Sequence, residues 1–552
     1  MLRLEPWLIR LAALLTWLVG AVIILSAAWP GWLAGPGSNA AALPPVVRVG
    51  SRLATGLAGL ALLLLAGGLW RRKRNAWLLT GLLLSTSAAA SLIKGVHVNE
   101  GVLAIVLILL LISLGRNFQV NSDPASQRLG WIVLLCDCGL VLAYGATGIV
   151  LSILHSHHLA AFLEALHPQA FMLFPFIGPA FQLDPATGRY FATFLDGTGV
   201  AALCFAIILL NRPVRSPRSA NGDENRRAAG IVSAHGTSPT ARMALLPDKC
   251  AFFSPGGSVI AYGVRGRSAM ALGNPIGPPE DAGAAVAAFQ SFCARNDWQS
   301  SFYFIPEESR LLYQEAGFAM LCFEHEAIIP LASFSLEGSH NKALRNAYTK
   351  LVRLGYTSEL LCPPFDESLL GELRTVSDNW LSNHRGGEKH FFVGCFDEKY
   401  ICSCPVMLVR APDGRIAAFA NLITASQGRE IAIDLMRRHY GMMNGSMEFL
   451  FVSLLQWAQA QNYESVSLGG STIFGKGRQP GDSNITRALH VATGLVSRFY
   501  RFEGLQDFKE KFHPRWEARY LAYPGMAALP RSLITLARLH SGEDFLLGYL
   551  RK

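Results

Sequence analysis

The chain has 552 residues, 51% hydrophobic and only 16% charged, with a formal net charge of +10. Soluble domains carry about 25% charged residues, so a purely soluble protein is excluded, as are disordered, collagen-like and disulfide-scaffold classes. Residues 1–212 hold 13 Lys and Arg against 7 Asp and Glu, whereas residues 213–552 hold 36 against 32. The division predicts an α-helical polytopic membrane domain over 1–211, a flexible linker over 212–240, a cytoplasmic α/β domain over 241–530 and a tail helix over 531–552. Neither half, at +6 and +4, has the charge density of a dedicated nucleic-acid binder.

Apolar stretches able to cross about 30 Å of hydrocarbon lie near Trp7–Trp29, Leu53–Trp70, Ala76–Ile93, Val102–Leu114, Trp131–Leu154 and Ala192–Leu210. Ala160–Phe181, interrupted by Pro168, Pro175 and Pro179, reads as re-entrant or interfacial. With the N-terminus inside, Arg3, Arg71-Arg72-Lys73-Arg74, Arg116, Arg128 and Arg212 all fall on the inner side, as the positive-inside rule requires. That places everything after Arg212 in the cytoplasm. Asp137, at membrane depth, is either functional or a helix-gluing group. His155, His157 and His158 lack the partners of a metal site. The Pro/Gly/Ser-rich stretch 212–240 reads as a tether.

Beyond it, short apolar strands alternate with amphipathic helices. Strands are expected at Ser258–Val264, Ser301–Ile305, Glu326–Pro330, Ile401–Val409, Ile416–Ile423, Glu430–Leu435 and Ser465–Leu468. Helices are expected at Ala282–Asn296, Ser309–Ala316, Asn341–Leu354, Glu367–Leu381, Ser446–Gln461 and Gly504–Lys511. Two lobes, about 241–360 and 361–530, each carry this pattern, which favours paired α/β lobes over one doubly wound sheet. The ten cysteines make no CxxC pair, and there is no Walker A loop, GxSxG elbow or strand-linked GxGxxG. No metal and no cofactor are expected.

Four polar clusters could carry chemistry. Lys342, Arg345 and Asn346 share one helix face, suited to phosphate or simply solvated. Glu430 and Asp434 point the same way from a strand that ends in Arg437-Arg438, a pattern able to hold an ammonium beside a phosphate, or an exposed ion-pair patch. From Phe508 to Tyr520, Lys509, Lys511, His513, Arg515 and Arg519 alternate with aromatics, a pattern that can stack on bases or close a helix onto the core. Gly475-Lys476-Gly477-Arg478 is a basic loop able to cradle an anion.

Eight segments in order carry a resemblance: Leu272-Gly-Asn-Pro-Ile-Gly277, Tyr313-Gln-Glu-Ala-Gly-Phe318, Lys342-Ala-Leu-Arg345, Phe392-Val-Gly-Cys-Phe396, Ala418-Phe419-Ala420, Asp434-Leu-Met-Arg437, Leu468-Gly469 and Phe508-Lys-Glu-Lys-Phe-His-Pro-Arg-Trp-Glu517. From Ala241 to about Pro524 the chain resembles the catalytic domain of the aminoacyl-phosphatidylglycerol synthases, the lysyl or alanyl transferases also called multiple peptide resistance factors. The resemblance implies two tandem GNAT-type acyltransferase lobes behind a membrane domain. It implies transfer of an amino acid from aminoacyl-tRNA to the headgroup hydroxyl of phosphatidylglycerol, which alters membrane surface charge. The resemblance makes Asp434, Arg437, Lys509 and Lys511 the catalytic set, and the residue patterns add Glu430, Lys342, Arg345 and His513 as substrate-binding candidates. Where the family follows Leu-Gly with an Ala-Pro-Leu-like run, this chain reads Gly-Ser-Thr-Ile-Phe-Gly-Lys-Gly. The partners expected are aminoacyl-tRNA, phosphatidylglycerol or a related lipid, and a second copy in a homo-oligomer. The competing readings are an acyltransferase with another donor or lipid acceptor, and a lipid flippase with a regulatory cytoplasmic domain.

Overall fold

The computed structural model describes residues 5–28, 45–94, 98–136, 139, 199–214, 222–383, 388–392, 394–472 and 503–541. Asp137, the His155–His158 group, the segment 160–181, the loop 475–478 and the end of the chain after 541 lie outside them. The chain divides into two compact units near Arg215.

The first unit is helical. Glu5–Ala28, Pro45–Trp70, Arg74–Lys94 and Val98–Ser113 are helices, as are residues 124–136 and 199–210. Each overlaps one of the six apolar stretches expected from the sequence. One of them, over Trp7–Leu25, is long and apolar enough to cross a membrane; Gly56–Trp70, Leu103–Ser113 and Gly199–Leu210 are shorter apolar helices. The first two helices approach so closely that a Cβ on Gly20 would stand 2.8 Å from the carbonyl oxygen of Gly59, the small-residue packing typical of helices in lipid.

The second unit is built on one sheet of eleven strands among the described residues: β1 (Cys250–Phe253), β2 (Val259–Arg265), β3 (Ser268–Leu272), β4 (Gln299–Pro306), β5 (Ala319–Pro330), β6 (Thr357–Leu361), β7 (Val406–Arg410), β8 (Ile416–Thr424), β9 (Glu430–Arg438), β10 (Ser465–Thr472) and β11 (Arg515–Tyr523). Their spatial order is β1-β2-β3-β4-β11-β5-β10-β9-β8-β7-β6. A pattern repeats within it. An antiparallel run (β1-β2-β3, then β7-β8-β9) feeds a helix (Ala282–Arg295, then Ser446–Ala460) that returns the chain to a parallel neighbour, β4 beside β3 and β10 beside β9. A parallel neighbour needs such a crossover, because a tight turn cannot reverse the chain twice. After each parallel strand comes a further helix and strand, ending in β5 and β11 respectively.

The two halves share one sheet. β11, made by the second half, lies between β4 and β5 of the first and pairs antiparallel with both. β5 then pairs with β10, so the sheet is continuous across the halves. On one face, Leu344 and Leu351 of the helix Lys342–Arg353 and Phe449, Phe451 and Leu455 of Ser446–Ala460 pack on Ala418, Ala420, Ile431 and Ile433.

Three further expectations change. The supposed linker holds a helix, Gly222–His235, with Asp223 and Glu224 in its first turn and His235 in its last, as the helix dipole favours. Its Ala228 and Val232 bury against Val259 and Ile276, so the domain starts before 241. The supposed tail helix, Leu529–His540, is a core element: Leu529, Leu536 and Leu539 pack with Met270, Leu272 and Tyr303, and Ser532 bonds Ser301 at 2.8 Å. Finally, Cys402-Ser403-Cys404 is not in a strand. It follows the one-turn helix Glu398–Ile401, and the Ser403 hydroxyl donates back to the Tyr400 carbonyl at 2.7 Å.

Candidate active site

β9 and β10 pair only over Ser465–Glu430, Val466–Ile431 and Ser467–Ala432. Past Ser467, β10 bulges at Gly469, whose φ of +79° lies in the left-handed region open to glycine without a Cβ clash. β9 runs on, paired with β8. The parallel pair thus stops pairing where Asp434 stands on one strand and Gly469-Gly470 on the other. One cluster of buried charge is built around Asp434 of β9, and another around the Gly469-Gly470 bulge of β10.

The first surrounds Asp434, 7% exposed. Its two carboxylate oxygens accept from the Gly394 N–H at 2.9 and 3.0 Å, and Oδ2 also accepts from the Tyr400 hydroxyl. Burial pushes the carboxyl above the usual range, opposed by these hydrogen bonds and by the charges of Lys249 and Arg437. Lys249 is buried and pairs with Asp248 at 2.7 Å; burial lowers its ammonium. Asp248 in turn accepts from the Phe391 N–H at 2.7 Å. Arg437, also buried, donates to Glu388 at 2.6 Å and lies 3.9 Å from the Trp380 ring centroid. A guanidinium can satisfy a carboxylate in its plane and an aromatic ring on its face at once. A carboxylate has about four acceptor positions, so the Asp434 group can take a further donor such as an ammonium.

The second cluster surrounds Lys509, 1% exposed. Its Nζ donates to the Gly469 carbonyl at 3.0 Å and the Gly470 carbonyl at 2.9 Å. Burial lowers the ammonium to about 8, against the pull of Glu324 and Glu326. Glu326 of β5 accepts from Ser467 and from Arg519 Nε at 2.8 Å. Glu324, two residues earlier on the same face, is 7% exposed and is raised by burial to about 7. Near the first cluster, Gly394 binds Asp434, and Phe392 packs on Phe304 of β4 with ring centroids 4.1 Å apart.

Of the expected residues, the structure buries Asp434 and Arg437 in the first cluster and Lys509 in the second. The others stand elsewhere. Lys511 is exposed and pairs with Glu448 at 2.8 Å. Lys342 is exposed at the start of its helix, while Arg345 binds the Leu336 and Gly338 carbonyls at 2.6 and 3.0 Å and so holds the preceding loop. His513 is exposed, near His340. Glu430 is exposed four residues from Asp434, or about 13 Å along the strand, too far to share one ammonium. Asp248, Lys249, Glu388, Tyr400, Glu324, Glu326 and Arg519 were not expected. Only Arg519, in the basic-aromatic run, carried a sequence signal.

A family model described as "Phosphatidylglycerol lysyltransferase, C-terminal" matches residues 229–523. Over 531 residues the chain is 25% identical to the phosphatidylglycerol lysyltransferase of Bacillus subtilis (strain 168), covering 96% of this chain and 59% of that protein. It is 31% identical over 284 residues to the phosphatidylglycerol lysyltransferase of Staphylococcus xylosus, covering 51% of this chain and 33% of the relative. The solved structure of L-PGS from Bacillus licheniformis superposes with a TM-score of 0.53 at 30% identity, covering 59% of this chain and 98% of that one. The chain spans about a third to three fifths of the length of these two curated relatives.

Proposed function

Because the chain belongs to the phosphatidylglycerol lysyltransferase C-terminal family, we propose that it is a membrane-bound aminoacyltransferase. In this reading it moves an aminoacyl group from aminoacyl-tRNA to the headgroup hydroxyl of phosphatidylglycerol. The observation that carries it is the opening of β9 from β10, with the buried Asp434 carboxylate on one strand and the Lys509-held carbonyl bulge on the other. Asp434 holds the α-ammonium of the aminoacyl group. The ester is already activated, so the site needs chiefly to position the ester carbonyl against the hydroxyl and to balance developing charge. Arg437 and Lys509 set the electrostatics from inside the site, while phosphate contacts fall to exposed cations such as Lys342, Lys350 and Arg353 on one helix.

The helical unit supports a membrane setting. Large apolar side chains such as Leu82, Leu109 and Ile112 are each more than 60% exposed on its helices, a surface that water disfavours and lipid accepts. A multi-pass arrangement with Arg71–Arg74 and Arg212 inside puts the sheet unit on the cytosolic side, where charged tRNA and inner-leaflet headgroups meet. The two lobes are the tandem GNAT-type arrangement. Expression in a host free of aminoacylated lipids, followed by mass spectrometry of polar lipids, tests this. A phosphatidylglycerol species heavier by one aminoacyl residue is expected; an unchanged lipid profile overturns the reading.

A further inference from the structure

Glu324 and Glu326 stand on the same face of β5, two residues apart, in unlike surroundings. Glu326 is satisfied by Ser467 from β10 and by Arg519 from β11. Glu324 is equally buried, yet its Oε2 has no hydrogen-bond partner among the described residues. That oxygen lies against the bulge: a Cβ added to Gly470 would collide with it, and the next nearest side chain there is Phe304. The charged and titratable groups facing it are Tyr303 from β4, Lys509 from the helix Glu503–Glu510, Glu326 on its own strand, and Arg519, its cross-strand neighbour on β11. Lys509 is a poor proton acceptor in this geometry, because its ammonium is held by the Gly469 and Gly470 carbonyls. Where two carboxylates are placed so differently, the one buried without an ion pair, facing a tyrosine hydroxyl and a lysine already held by carbonyls, is the one suited to trade a proton.

We propose that Glu324 takes the proton of the acceptor hydroxyl during aminoacyl transfer, an inference that rests on the transferase reading above. The hydroxyl oxygen attacks the ester carbonyl carbon and forms the new C–O bond while its proton passes to Glu324 Oε2. Collapse of the tetrahedral intermediate breaks the bond to the terminal ribose oxygen of the tRNA. That oxygen takes the proton from Glu324, which returns to the carboxylate. The full inventory is conserved: one C–O bond forms, one breaks, and the proton moves from the lipid hydroxyl to the ribose.

The test is the pH dependence of initial rates for the purified full chain, with phosphatidylglycerol vesicles and tRNA charged with labelled lysine or alanine. The wild-type rate should rise with pH and level off above about 7, where Glu324 becomes ionised. Glu324→Gln should lower kcat by about 10²-fold or more, abolish that acidic limb and leave the melting temperature in place. Glu324→Asp should recover at least about tenfold over the Gln variant, within the range one proton-transfer group contributes. Retention of the wild-type kcat and acidic limb in Glu324→Gln overturns the proposal. So does loss of activity in both variants with the limb unmoved, which would mark Glu324 as structural. Absence of transfer by the wild-type chain from either tRNA instead overturns the transferase reading itself.

Discussion

The Gly394 N–H donates to both carboxylate oxygens of Asp434, at 2.9 and 3.0 Å, and so pins a segment without regular structure onto β9. The fit leaves no room at Gly394, where an added Cβ would collide with Asp434 Oδ2 and the Tyr400 ring. Gly394→Ala should therefore displace the carboxylate. Overpacking of this kind costs about 1–3 kcal/mol in stability. Activity should fall further than the melting temperature implies, because a shift of about 1 Å in a positioned group can cost about 10²-fold. Paired thermal melts and lipid aminoacylation rates check this.

Arg437 makes two different contacts from one group, an ion pair to Glu388 and a stack on Trp380. A lysine ammonium can keep the first but not the planar stack. Arg437→Lys should fold with a modest loss of stability. Arg437→Ala, which removes both the partner of the half-buried Glu388 and the stack on Trp380, should lose more. Denaturant melts of the two variants should separate in that order, and equal losses would mean that the pair, not the stack, carries nothing.

His540, half-buried at the end of the helix Leu529–His540, has its Nε2 shut from solvent, and desolvation, reinforced by Lys389 and Lys249, lowers it to about 3 from 6.5. The folded protein keeps it neutral, so between pH 6.5 and about 3 the unfolded chain binds more protons and stability falls on acidification. His540→Phe removes that contribution while keeping a ring beside Tyr303. The melting temperature of the variant should drop less steeply than that of the wild type as pH goes from 7 to about 5. Parallel slopes would show that His540 is protonated in the fold.

Much of the sheet was legible because its strands are apolar, and much of the site was not because its residues break that rule. Glu430–Leu435 reads as a strand, so Asp434 is found on it. β5 runs from Ala319, yet its pattern reads only from Glu326, since Glu324 and Glu326 look like solvent-facing residues and are in fact buried between strands. β11 was hidden the same way, by Arg515, Glu517 and Arg519 alternating with Trp516 and Tyr520. Lys509 was found by resemblance, but burial changes its task from meeting phosphate to holding the Gly469-Gly470 carbonyls. Lys249, Glu388 and Tyr400 lie outside any periodic pattern, and only the fold brings them to Asp434. The helix Gly222–His235 escaped notice because just two of its residues, Ala228 and Val232, are buried.

Asp434 is proposed to anchor the aminoacyl group at the opening between β9 and β10, and that role can be tested by itself. Its most direct measurement is single-turnover transfer from labelled lysyl- or alanyl-tRNA to phosphatidylglycerol vesicles, comparing wild type with Asp434→Asn. The amide keeps the shape and the Tyr400 contact but removes the charge that an ammonium needs. Transfer by the wild type is expected, with a loss of at least about 10²-fold in the variant and an unchanged melting temperature or a higher one. Transfer by Asp434→Asn at the wild-type rate would contradict it.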